Sequence, residues 1–158
     1  MARGSNGNIR QEIINYMEQT QWAELATVRE DGTPVIRTMG AFAIDGGGAR
    51  ICFATMPGAA KTRHISSNNR VSFFFQHEGQ DFPTFRNVEA LGDASRITKE
   101  EDLRRTAERI SARSPFVKDL IEKNGLGVFE FYEIRVSEIK FLNFSKGVGP
   151  QAVEVIKQ

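Results

Sequence analysis

A chain of 158 residues, 40% hydrophobic and 26% charged, is long enough for one domain with a buried core. Its formal net charge of +1 gives no reason to expect nucleic acid or a membrane surface as partner. The single cysteine, Cys52, excludes an internal disulfide, no apolar run approaches membrane-spanning length, and the opening MARGSNGN lacks an apolar signal core, so a cytoplasmic protein is expected.

Residues 1–8 are rich in Gly, Ser and Asn and are expected to be disordered. Ile9, Ile13, Tyr16 and Met17 then recur at helical spacing and predict an amphipathic helix to about Thr20. Trp22 to Arg29 reads as a strand, Asp31-Gly32 as a hairpin turn, and Val35 to Asp45 as a long second strand behind Pro34. Gly46-Gly47-Gly48 makes the next connection, with strands over 50–55 and 70–77 beyond it. The Gly- and Pro-containing stretch after His77 is a loop, and Arg86 to Ile97 resumes as the fifth strand. Thr98 with Glu101 reads as a capping box for a helix reaching about Ala112, and Ser114-Pro115 starts another that Gly125 ends. Residues 127–144 form a long β segment bent near Val136 to Glu138, and 145–158 a C-terminal tail. About six antiparallel strands with few helices predict a mainly β protein, a barrel with peripheral helices formed by one domain over 9–144.

The stretch from Arg50 to Gln76 carries the first functional signal. A strand ending on Thr55 runs through Pro57-Gly58-Ala59-Ala60 into a short helix opened by Lys61. Unpaired N–H groups and the positive end of the dipole at a helix start suit an anion, and small residues allow close approach. On the second strand Val35, Arg37 and Met39 share one face, and Ile36, Thr38 and Phe42 the other. An arginine among apolar residues needs either a carboxylate or a bound anion. His64 and His77 have no nucleophile or carboxylate beside them in the pattern, so surface or capping roles are expected, and no His/Cys/carboxylate spacing suggests a metal. Most of the Phe-rich set (Phe73, Phe74, Phe75, Phe129 and Phe131 among them) is expected in the core.

Phe53, Thr55, Lys61, Ile65, Asn68, Arg70 and Val71, with Leu25-Ala26-Thr27-Val28 and Asp31-Gly32-Thr33-Pro34 ahead of them, resemble the pyridoxamine 5'-phosphate oxidase superfamily of FMN-binding split barrels. The resemblance implies FMN in a cleft of a homodimer. It implies Arg37, Thr38 and Met39 along the flavin and phosphate, Thr55 and Lys61 at the phosphate end, and Asn87 at the ring. The family's oxidases have an Arg before the phosphate Lys and a substrate Lys on the second strand, where this chain has Ala60 and Phe42, and their C-terminal Trp and Arg are missing. The resemblance therefore implies an FMN oxidoreductase fed by NADH or NADPH, acting on a small molecule other than a B6 vitamer. A non-catalytic FMN or electron carrier, or a related barrel holding deazaflavin or haem, is the alternative.

Overall fold

The computed structural model describes residues 3–158. Helix α1 (Arg3–Gln19) precedes the hairpin β1 (Ala23–Val28) and β2 (Pro34–Met39), and β3 (Phe42–Asp45) pairs with β4 (Arg50–Thr55). Helix α2 (Ala60–Ser67) leads to β5 (Arg70–Gln76) and β6 (Arg86–Arg96); α3 (Glu100–Arg113) and α4 (Pro115–Asn124) precede β7 (Glu130–Asn143) and β8 (Val153–Lys157). The stretch expected to be disordered is helical from Arg3 onward, and its first two residues lie outside the described ones. No helix among the described residues is long and apolar enough to cross a membrane.

All strands join one antiparallel sheet in the order β2-β1-β5-β6-β7-β4-β3, with β8 on β7. The two ends of that order, β2 and β3, are consecutive in the chain, so the sheet curls round into a split barrel. The sheet has eight strands rather than the expected six or so, for two reasons. First, the run from Val35 to Asp45 breaks at Gly40, where a Cβ would lie 2.5 Å from the Trp22 ring. The break resets the alternation, so Phe42 points inward and is fully buried instead of sharing a face with Ile36 and Thr38, both exposed. Second, the tail ends in β8, which pairs Val153 to Lys157 with Leu142 to Glu138. The bend expected near Val136 to Glu138 is a β-bulge: Leu91 pairs with Glu138 and Gly92 with Val136, leaving Ser137 extra. Gly92 is required there, because a Cβ would come 2.2 Å from the Arg135 carbonyl oxygen.

Two apolar clusters hold the molecule together. Phe42, Phe53, Phe73, Phe75, Phe141 and Tyr132 fill the curl of the sheet, and Ile13, Tyr16 and Met17 of α1 join them. The second cluster explains the helical stretch over 98–125. Ala43, Cys52 and Ala54 are small residues on the outer face of β3 and β4, and Ala107, Ile110 and Val117 of α3 and α4 pack on them with Phe129 and Phe131. The predicted capping box is not formed: Lys99 occupies the N-cap of α3 without a side-chain bond, and Glu100, Glu101 and Asp102 meet the helix dipole instead. Ser114 does cap α4 by accepting from the Val117 N–H, and Gly125 ends it at φ +82°.

Candidate anion site at the rim of the barrel

Arg37 opens a row that crosses the inner face of the sheet through Leu25, Phe73, Ala90 and Ile139, all buried. It stands on the edge strand of that sheet, so its stem lies along apolar surface and its guanidinium reaches the split. Arg37 Nη1 donates to the Leu25 carbonyl at 3.2 Å and to Thr27 Oγ1 at 2.7 Å, and Nη2 lies 3.4 Å from His64 Nδ1. Of the two partners expected for this arginine, a carboxylate or a bound anion, no carboxylate meets it among the described residues; backbone, hydroxyl and imidazole do.

Helix α2 brings the second cation. Gly58, at φ +78°, turns the chain out of β4, and Ile65 anchors the helix in the core. Lys61 reaches back to donate to Thr55 Oγ1 at 2.8 Å. Desolvation first, and then the nearby Arg37 charge, hold its ammonium below the ordinary lysine pKa. Burial likewise lowers Arg37. Among the described residues neither cation makes an ion pair, so two like charges share a half-buried rim beside two hydroxyls. That is a donor set for an anion bearing several oxygens.

Thr55, Lys61 and Arg37 are therefore brought together. Thr38 lies on the opposite face of β2, opposite Glu24, and lines a groove of about 690 Å³ with Trp22, Glu24, Phe74, Gln76 and His77. Asn87 is on β6, paired with that same Gln76, and so borders the groove rather than the cation cluster. The Met39 side chain is buried in the core. Thr27 and His64 escaped the sequence reading: they meet at 2.9 Å across elements 37 residues apart, and only the register of β1 against β2 could have paired Thr27 with the arginine's face. His77 is a helix-end partner: its ring stacks on Tyr16 at 3.7 Å and its Nε2 lies 2.9 Å from the Tyr16 carbonyl.

The fold and this rim define a curled, split antiparallel barrel whose opening holds two cations that meet no carboxylate among the described residues. A family model described as pyridoxamine 5'-phosphate oxidase matches residues 9–143, and the chain belongs to that split-barrel family. Solved structures agree on the fold. A conserved hypothetical protein of Mycobacterium tuberculosis is 22% identical, with a TM-score of 0.72 over 89% of this chain and 88% of the other. A haem-binding protein of Mycobacterium smegmatis is 17% identical, with a TM-score of 0.71 over 94% of this chain and 56% of the other. ChuZ of Campylobacter jejuni is 14% identical, with a TM-score of 0.75 over 96% and 60%. No curated protein sequence matches the chain.

Proposed function

We propose that the protein is an FMN-binding oxidoreductase that works as a homodimer with NADH or NADPH as electron donor. The observation that carries this reading is the pairing of Arg37 and Lys61 beside Thr27 and Thr55, neither cation meeting a carboxylate among the described residues, an arrangement that a phosphate relieves. Lys61 and Thr55 would hold two phosphate oxygens, and Arg37 would turn from Leu25 and Thr27 to a third. Thr38 and the groove on the outer face of β2 are left for the ring end, with the Asn87 amide at its border and the second protomer as the far wall. When bound, the flavin would supply the hydride and electron transfer itself. Ala60 and Phe42 stand where the family's vitamin B6 oxidases have basic residues, which favours a substrate other than pyridoxamine phosphate.

Haem is the second reading, favoured by the haem-binding relative and by His77 in the wall of the groove. The absorption spectrum of the purified protein separates the two: flavin bands near 370 and 450 nm support FMN, and a Soret band overturns it. Steady-state oxidation of NADH or NADPH with an added acceptor then separates an enzyme from a passive carrier, and a flavin-loaded protein without turnover supports the carrier.

A further inference from the structure

Thr27 carries one hydroxyl proton. Arg37 Nη1 donates to its oxygen at 2.7 Å, and the same oxygen lies 2.9 Å from His64 Nδ1, toward which its proton can turn. Arg37 Nη2, which can only donate, lies 3.4 Å from the same nitrogen. A guanidinium N–H beside Nδ1 needs that nitrogen unprotonated, so this arrangement goes with a neutral imidazole whose own proton is on Nε2. The charges around it act the same way. Desolvation is the largest cause holding His64 below the ordinary histidine pKa; Arg37 from β2, Arg63 from its own helix and Arg29 from the β1–β2 turn add to it, and Asp31 opposes them. Lys61 and His64, three residues apart, lie on one side of α2, toward Arg37.

Resting on the phosphate reading above, we propose that His64 is the proton-linked member of this anion site: it releases Arg37 and takes up a proton at Nδ1 when a phosphate dianion binds. An anion that accepts from Arg37 and Lys61 changes both conditions that keep the imidazole neutral. It draws the guanidinium away from Nδ1, and it sets negative charge against Arg37 and Lys61. The protonated Nδ1 then donates to Thr27 Oγ1, and the proton comes from solvent. His64 is a positioning residue here, parking Arg37 in the free protein and reinforcing the site in the bound one. Because the compensating charge is that of a dianion, the site favours a phosphate monoester over a diester or a carboxylate.

Calorimetry of FMN binding near pH 7, in buffers of different ionisation enthalpy, counts the protons. The wild type should take up a substantial fraction of one proton per FMN, and riboflavin none. His64→Gln keeps an acceptor but cannot titrate. It should bind FMN with no uptake, or with slight release, since the phosphate's own second pKa is about 6. FMN affinity of the wild type should also fall more steeply than that of His64→Gln from pH 6.5 to 8.5. Equal proton counts in two proteins that both bind FMN would overturn the role of His64 and leave the anion site standing. Wild-type protein that binds FMN no better than riboflavin would remove the anion site and this inference with it. If His64→Gln does not fold, the ring resonances of His64 in the wild type decide: their titration midpoint must rise on FMN addition, and an unmoved midpoint refutes the proposal.

Discussion

Arg37 and Lys61 show how a residue becomes legible through what it lacks. Each is half-buried, the charge of Arg37 acts on Lys61, and neither meets a carboxylate among the described residues, so the rim is a poor place for cations until an anion arrives. Cys52 makes the opposite case. It sits under α3 in contact with Thr106, and burial, the largest cause, pushes its thiol up to about 11 from an ordinary 9.0. The folded state thus holds this proton more tightly than the unfolded chain does. Its stability contribution is complete below about pH 9 and is lost as the pH rises toward 11, amounting to roughly 2–3 kcal/mol at 1.36 kcal/mol per pKa unit. Urea titrations at pH 8.5 and 10.5 should show that alkaline loss in the wild type and a smaller one in Cys52→Ala. The native thiol should also react slowly with alkylating reagents at pH 8; fast labelling of folded protein would contradict its burial.

At the scale of elements, the breaks in regularity position the site. Gly92 lets β6 and β7 bulge past Ser137, and a methyl group there would strike the backbone of Arg135. Gly92→Ala should therefore cost roughly 1–3 kcal/mol in denaturant unfolding, the usual range for overpacking. Gly40→Ala should cost less, because its obstacle is the Trp22 side chain, which is 54% exposed and free to turn; the reverse order would show that the ring of Trp22 is fixed. Arg113 ties the helical pair to the end of α1. It donates to the Glu18 carbonyl at 2.7 Å and the Thr20 carbonyl at 3.0 Å, and its guanidinium lies 4.5 Å from the centre of the Phe42 ring. Hydrogen bonds from a charged donor are worth about 1.5–3 kcal/mol, so Arg113→Ala should lower stability by about that amount without changing ligand affinity. Thermal unfolding and FMN titration of the variant check both halves.

These elements also mark where sequence reading stops. The hairpin at Asp31-Gly32, the α2 start and the helix end at Gly125 are set by local chemistry and were legible, and so was the nearness of Lys61 to Thr55, six residues back across the loop before α2. The break at Gly40 was not, because the group that stands against that glycine, the ring of Trp22 just ahead of β1, is distant in the chain. The capping box failed because a Thr-x-x-Glu spacing does not by itself choose between Thr98 and Lys99 as the residue that leaves extended backbone. Strand β8 was hidden by Gly147, Gly149 and Pro150 just ahead of it, and only pairing with β7 gives Val153, Val155 and Ile156 a reason to extend. Thr27 and His64 needed the fold, since their bond joins a strand to a helix on a distant part of the chain.

For the whole molecule, the outer face of β2, β1, β5 and β6 is the surface that the proposed homodimer would use. Trp22 and Ile36 are 54% and 65% exposed there, with Phe74 and Leu91 half-buried on the same face. A stable pair of protomers should bury well over about 1,000 Å² in total. Sedimentation should give a dimer at micromolar concentration, and Ile36→Lys should shift it toward monomer; a wild-type monomer that still holds flavin would contradict the shared cleft. The central claim concerns the rim, and comparing two ligands tests it most directly. FMN and riboflavin share one ring and differ by the phosphate, so each should be titrated into the wild type, Arg37→Ala and Lys61→Ala. With each charge-assisted contact worth about 1.5–3 kcal/mol, FMN affinity should fall about tenfold to a hundredfold in either variant. Riboflavin should bind the wild type far more weakly than FMN and be nearly indifferent to both changes. Equal losses for the two ligands would contradict the account, because Arg37 and Lys61 would then be shaping the fold or the ring pocket and not holding an anion.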